Sequence, residues 1–232
     1  MQTVPEVSRG GEDAGVEANA RLTGGAAAVL LVLLAAEGAT ILNVRGLLSA
    51  HVFLGVLLVP PVLLKTISTG WRFLQYYRGS PAYRRKGPPP LVLRLLGPAV
   101  VVLTLDVLAS GIALVLGPSS VRGQLLTLHK VSFVLWLAVM AIHVLGHLAE
   151  TARLAPADWF RRTRREVAGA GGRQWTLVAS VVVGCVLGAA MLGPTSSYHV
   201  QRHHRDGNTA TSSQLAHRTS YPKLIHALSG AS

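Results

Sequence analysis

Five stretches of this chain, residues 22–43, 47–69, 91–116, 125–148 and 175–192, are predominantly apolar. A bilayer core about 30 Å thick is crossed by roughly 20 helical residues, so each stretch is long enough to span one. Inside lipid a helix satisfies all its backbone donors and acceptors within the segment, which an isolated strand cannot do. The pattern therefore predicts an all-α integral membrane protein, a helical bundle with five transmembrane helices. The first stretch is read as a retained span and not a secretory signal, because it is too long and its leader carries Glu6, Glu12, Asp13 and Glu17.

Charge sets the expected direction. Arg72, Arg78, Arg84, Arg85 and Lys86 lie between the second and third spans, and Arg153, Arg161, Arg162, Arg164, Arg165 and Arg173 between the fourth and fifth. Basic loops stay on the cytoplasmic side, so both belong inside, with Trp71, Phe73, Tyr76, Trp159 and Phe160 in an inner aromatic belt. The connections after spans one and three carry only Arg45 and Arg122 and belong outside. The expected organisation is a cytoplasmic N-terminal segment (1–21), a four-helix membrane core (22–150), a basic cytoplasmic loop (151–173), a fifth transmembrane helix (174–194) and an external tail (195–232). The net charge of +12 does not point to nucleic acid, because the arginines flank apolar runs and form no stripe interleaved with aromatics. Segments 84–86 and 161–165 instead suit anionic lipid.

Short connections after spans one and three favour antiparallel neighbours, so spans two and four run parallel within the core. Pro60 and Pro61 predict a kink in span two. Span four carries His129 and, 14 residues later, His143; span two repeats the interval with His51 and Lys65. At 3.5 residues per turn that interval returns to the same face, about 21 Å along the axis. His51 should therefore stand level with His129, and Lys65 level with His143, with Trp136 midway on the span-four seam.

Two imidazoles at one depth on two parallel helices suit the axial ligation of a haem, giving a six-coordinate iron fit for electron transfer. His51 and His129 are the candidate ligands. Gly55, one turn from His51, would let the macrocycle approach the backbone. A second haem between Lys65 and His143 is the sharper idea for the other level. Snorkelling of Lys65 to the inner interface is the plainer one. His147, one turn from His143, is a further candidate ligand or propionate partner. The alternative for all these histidines is hydrogen bonding that holds helices together. The single cysteine, Cys185, excludes an internal disulfide, a thioether-linked haem and a cysteine-ligated cluster.

The segments HVFLG, LHKVSFVLW and IHVLGH resemble the small bacterial four-helix b-type cytochromes, including the flavinylation-associated cytochromes and ferric-reductase-like membrane domains. The likeness covers about residues 22–150. It implies two helices that each present two histidines to haems b stacked across the membrane. His51 and His129 would hold the outer haem and His143 one side of an inner one, where Lys65 stands in place of the fourth histidine. It also implies an electron-transfer subunit and not a stand-alone enzyme, with quinone, a flavoprotein or an external oxidoreductase as redox partner. A bacterial plasma membrane fits, as do 4 lysines against 18 arginines.

Several features stand apart from that likeness. Glu37 and Asp106 are expensive inside a span unless paired, and Arg45 and Lys130 are the expected partners. Gly184-x-x-x-Gly188 in span five is read as packing on the bundle, with homodimerisation as the alternative. The tail, with His199, His203, His204, His217 and His226, is expected to be a disordered, solvated segment, with metal binding by its histidines as the alternative. Two other functions fit the same sequence. One is a haem-free transporter or channel with Glu37, Asp106, Lys65 and His143 along its path, and the other is a membrane scaffold.

Overall fold

The computed structural model describes residues 6–85, 91–160, 163 and 167–195, nearly all of them helix, turn or bend. The packing divides the chain into two units, 1–192 and 193–232. The histidine-rich tail, Lys86 and the arginines 161, 162, 164 and 165 lie outside the described residues.

In chain order the helices are α1 (Glu6–Ile41), α2 (Leu48–Leu57), α3 (Val59–Tyr77), α4 (Pro81–Arg85), α5 (Leu91–Leu116), α6 (Arg122–Leu154) and α7 (Ala170–Ala190), with 3-10 turns at Ser119–Val121 and Ala155–Asp158. Five continuous helical stretches are long and apolar enough to cross a membrane: Asp13–Ile41, Leu48–Tyr77, Leu95–Leu116, Ser119–Asp158 and Ala170–Thr195. Their outward surfaces carry large apolar side chains such as Val32, Leu95, Leu145 and Val186, each more than half exposed, as a lipid-facing surface does. This is an all-α, multi-pass membrane bundle.

Helix order follows from which helices touch. α1 packs on α2 and α3 and on α6, α5 packs on α6 and on α2, and α7 lies against α1, α2 and α3. The first four spans thus form a ring in sequence order. The second span (α2 with α3) and the fourth (α6) sit diagonally, facing each other across its interior. α1 joins them closely because it is small where it meets its neighbours. A Cβ at Gly24 would stand 2.6 Å from the Cβ of Leu154, and one at Gly25 2.7 Å from Leu177 Cδ1.

The second span breaks where its sequence demands. Pro60 and Pro61 open α3, and Pro61 has no N–H to give the Leu57 carbonyl four residues back. Val62 N still bonds the Leu58 carbonyl, so the chain stays helical across the break. In lipid a bare carbonyl needs cover. α7 supplies it: a Cβ at Gly184 would overlap the Leu57 carbonyl oxygen, and one at Gly188 would lie 2.8 Å from that of Phe53. Both glycines of the small-residue motif are buried in this intrachain contact.

At the opposite end from His51, charges fasten the helices. Asp158 accepts from Arg173 Nε at 2.5 Å and Nη2 at 2.6 Å, with Arg21 Nη1 3.6 Å away. Arg21 also reaches Glu17 and the Thr163 carbonyl, and Arg173 donates to the Ala168 carbonyl beside Gly169, whose φ of 81° suits only glycine. All three charged groups are buried. From residue 6 onward the N-terminal segment is continuous with α1, and Arg173 lies in the first turn of α7 and ties it to α1 through Asp158.

Candidate functional site

His51, in the first turn of α2, and His129, two turns into α6, meet inside the ring near the end where α1 hands over to α2. Their ring centres are 6.3 Å apart and their planes stand at 80°. Equal depth on the two diagonal helices, expected from the paired 14-residue interval, is thus present at this level.

Each ring is oriented through Nδ1. Thr40 Oγ1 donates to the Glu37 carbonyl at 2.6 Å, so it can only accept from His51 Nδ1, 2.9 Å away. Glu37 Oε1 lies 2.8 Å from the same nitrogen. Both neighbours are acceptors, so Nδ1 carries the hydrogen and shares it between them. The same device recurs on the other helix. Ser110 Oγ donates to the Val107 carbonyl, and His129 Nδ1 lies 3.1 Å from both of those oxygens, which makes it a donor as well. In the neutral imidazole the remaining nitrogen, Nε2, then bears a lone pair, and no hydrogen bond to Nε2 of either ring is present among the described residues. Histidines fixed through one nitrogen and bare at the other are arranged as metal ligands are.

His51 and His129, with ring centres 6.3 Å apart, would be the residues to hold a haem iron between them, and the haem would supply a one-electron couple. Among the described residues no group of three or more His, Cys, Asp or Glu side chains could hold a metal ion. A haem needs only two protein ligands, because its macrocycle provides the other four.

Other residues singled out from the sequence fall differently. Gly55 faces α1: a Cβ there would lie 3.5 Å from Glu37 Oε1, so the space beside this glycine belongs to the carboxylate. Glu37 is paired with His51 and not with Arg45 or Lys130. Its Oε2 is buried and unpartnered. Asp106 lies close enough to His129 to act on it through charge. Trp136 is buried midway along α6 and donates from Nε1 to Thr104 Oγ1 at 2.8 Å.

At the second level, Lys65 interacts through charge with Glu150 and with His143. His143 Nδ1 is buried without a hydrogen-bond partner. His147 stands 4.8 Å from the His143 ring and pairs with Glu150 Oε2 at 3.3 Å.

Thr40, Ser110, the Val107 carbonyl and Gly111 belong to the site and were not read from the sequence. A Cβ at Gly111 would come within 3.2 Å of His129 Cε1, so this glycine lets α5 approach the ring. The available signal was a hydroxyl residue three positions after a residue whose carbonyl it caps, Glu37 to Thr40 and Val107 to Ser110, each facing a histidine. No protein-family model, no curated protein and no solved structure matches this chain.

Proposed function

We propose that the chain is a membrane b-type cytochrome, the electron-carrying subunit of an oxidoreductase system, with one haem b held by His51 and His129. The observation that carries this is the pair of imidazoles at 6.3 Å, each with Nδ1 committed to acceptors and Nε2 bare. Bound there, haem supplies a one-electron ferric–ferrous couple. Glu37 and Thr40 on one side, and Val107 and Ser110 on the other, hold the ligand rings in place. Gly111 gives the His129 ring room.

The distribution of arginine supports a cytoplasmic N-terminus, an external His51 end and residence in a bacterial plasma membrane. An electron would then pass between a donor or acceptor at the external face and a partner such as quinone or a flavoprotein. The long stem of Lys65 suits snorkelling of its ammonium to the inner interface, and hence one haem per chain. The test is an oxidised-minus-reduced absorption spectrum of haem-supplied, purified protein. The expected result is low-spin haem b bands that vanish in His51→Ala and in His129→Ala and persist in His217→Ala. A folded, haem-supplied and colourless preparation refutes it. A colourless protein would favour the second reading, a haem-free transporter, which draws on the unpartnered His143 Nδ1 beside Lys65, Glu150 and His147.

A further inference from the structure

The two candidate ligands are presented alike but backed unequally. Behind His129 are two neutral acceptors, the Val107 carbonyl and the Ser110 hydroxyl, each at 3.1 Å. Behind His51 are the neutral Thr40 hydroxyl at 2.9 Å and the Glu37 carboxylate at 2.8 Å. The carboxylate is largely shut away from water, its side chain 14% exposed. His51 is its one described side-chain partner, since Oε2 is buried with nothing to bond. Its field is therefore little screened by solvent and is not divided among other described side-chain donors.

From this geometry we infer that Glu37 is a positioning residue that makes His51 the electron-rich member of an unequal ligand pair and lowers the reduction potential of the haem. The inference rests on the cytochrome reading. Donating Nδ1–H to a carboxylate raises the basicity of the imidazole, and the fixed negative charge favours ferric over ferrous iron, whose charge is lower by one. Thr40 works in the opposite sense by taking part of the same hydrogen. Glu37 thus sets the potential, and Thr40 moderates it.

The experiment is an equilibrium redox titration of the purified, haem-loaded full chain at fixed pH, with haem content measured on every sample. Glu37→Gln keeps an acceptor oxygen for Nδ1 and removes the charge. It is expected to retain haem and to shift the ferric-to-ferrous ratio at a given ambient potential toward ferrous by tenfold or more, about 59 mV for a one-electron couple. Thr40→Val leaves the whole hydrogen to the carboxylate and is expected to move the ratio the other way. Because Thr40→Val keeps the charge in place, it tests the idea even where Glu37→Gln does not fold. A haem-loaded Glu37→Gln with the wild-type potential, or a Thr40→Val shifted toward ferrous, overturns the inference and leaves the cytochrome reading intact. Wild-type protein that takes up no haem overturns that reading itself.

Discussion

Asp158 joins two buried arginines at the end of the bundle opposite His51. It accepts two hydrogen bonds from Arg173, at 2.5 and 2.6 Å, and faces Arg21 at 3.6 Å, and all three residues are less than a tenth exposed. Asp158→Ala takes from two buried guanidinium groups the carboxylate that Arg173 donates to twice and that Arg21 faces. Breaking a buried ion pair by removing one partner costs about 3–5 kcal/mol, since the stranded charge keeps its desolvation penalty and loses its attraction. Arg173→Met should cost somewhat less, because Asp158 keeps Arg21 nearby. Combining Asp158→Leu with Arg173→Met removes both charges and should restore most of the loss, so that the pair of changes costs well under the sum of the single ones. Unfolding by increasing SDS in mild detergent, followed by tryptophan fluorescence, measures all three, with Trp159 and Trp175 flanking the cluster as reporters. A cost for Asp158→Ala below about 1 kcal/mol, the range of exposed ion pairs, would show that water reaches the cluster and refute the reasoning.

Three further outcomes follow from contacts already described. Gly184→Ala drives a methyl group into the Leu57 carbonyl, a backbone atom that cannot swing aside, and should cost about 1–3 kcal/mol in the same unfolding assay; an unchanged curve would mean that α7 is not seated there. Gly111→Ala crowds His129 Cε1 at 3.2 Å and should reduce haem content, whereas Gly55→Ala meets Glu37 at an ordinary 3.5 Å and should not. Equal retention in the two variants would contradict the placement of the ring. Lys65→Met should leave the haem-to-protein ratio at one, and a wild-type ratio of two that falls to one in this variant would make the lysine a ligand.

The spans were legible because lipid imposes a length and an apolarity that few other environments require, and the shared depth of His51 and His129 because helical rise converts equal sequence intervals into equal heights. The start of α1 was not legible. Sequence alone does not show that Arg21 meets Asp158, which is brought to it only when the fourth span returns. The partner of Glu37 was missed for a related reason. Counting nearby charges pointed to Arg45 and Lys130, whereas the rotation of α1 about its axis aims the carboxylate at His51. Rotation depends on how small residues such as Gly24 and Gly25 seat against Leu154 and Leu177, contacts set by distant parts of the chain. The hydroxyl residues behind each ring escaped notice because a threonine or serine that bonds its own helix looks identical, in sequence, to one that also faces a histidine.

The bare carbonyl at Leu57 gives the last helix a place in the timing of assembly. A membrane protein emerges from the ribosome one span at a time, and the double proline enters the bilayer long before residues 184 and 188 have been made. Until they arrive, the second span holds an exposed acceptor in hydrocarbon, a site for water or for a wrong neighbour. The break in the second span is thus covered by a helix that is made more than a hundred residues later, since Gly184 and Gly188 of α7 lie against the Leu57 and Phe53 carbonyls.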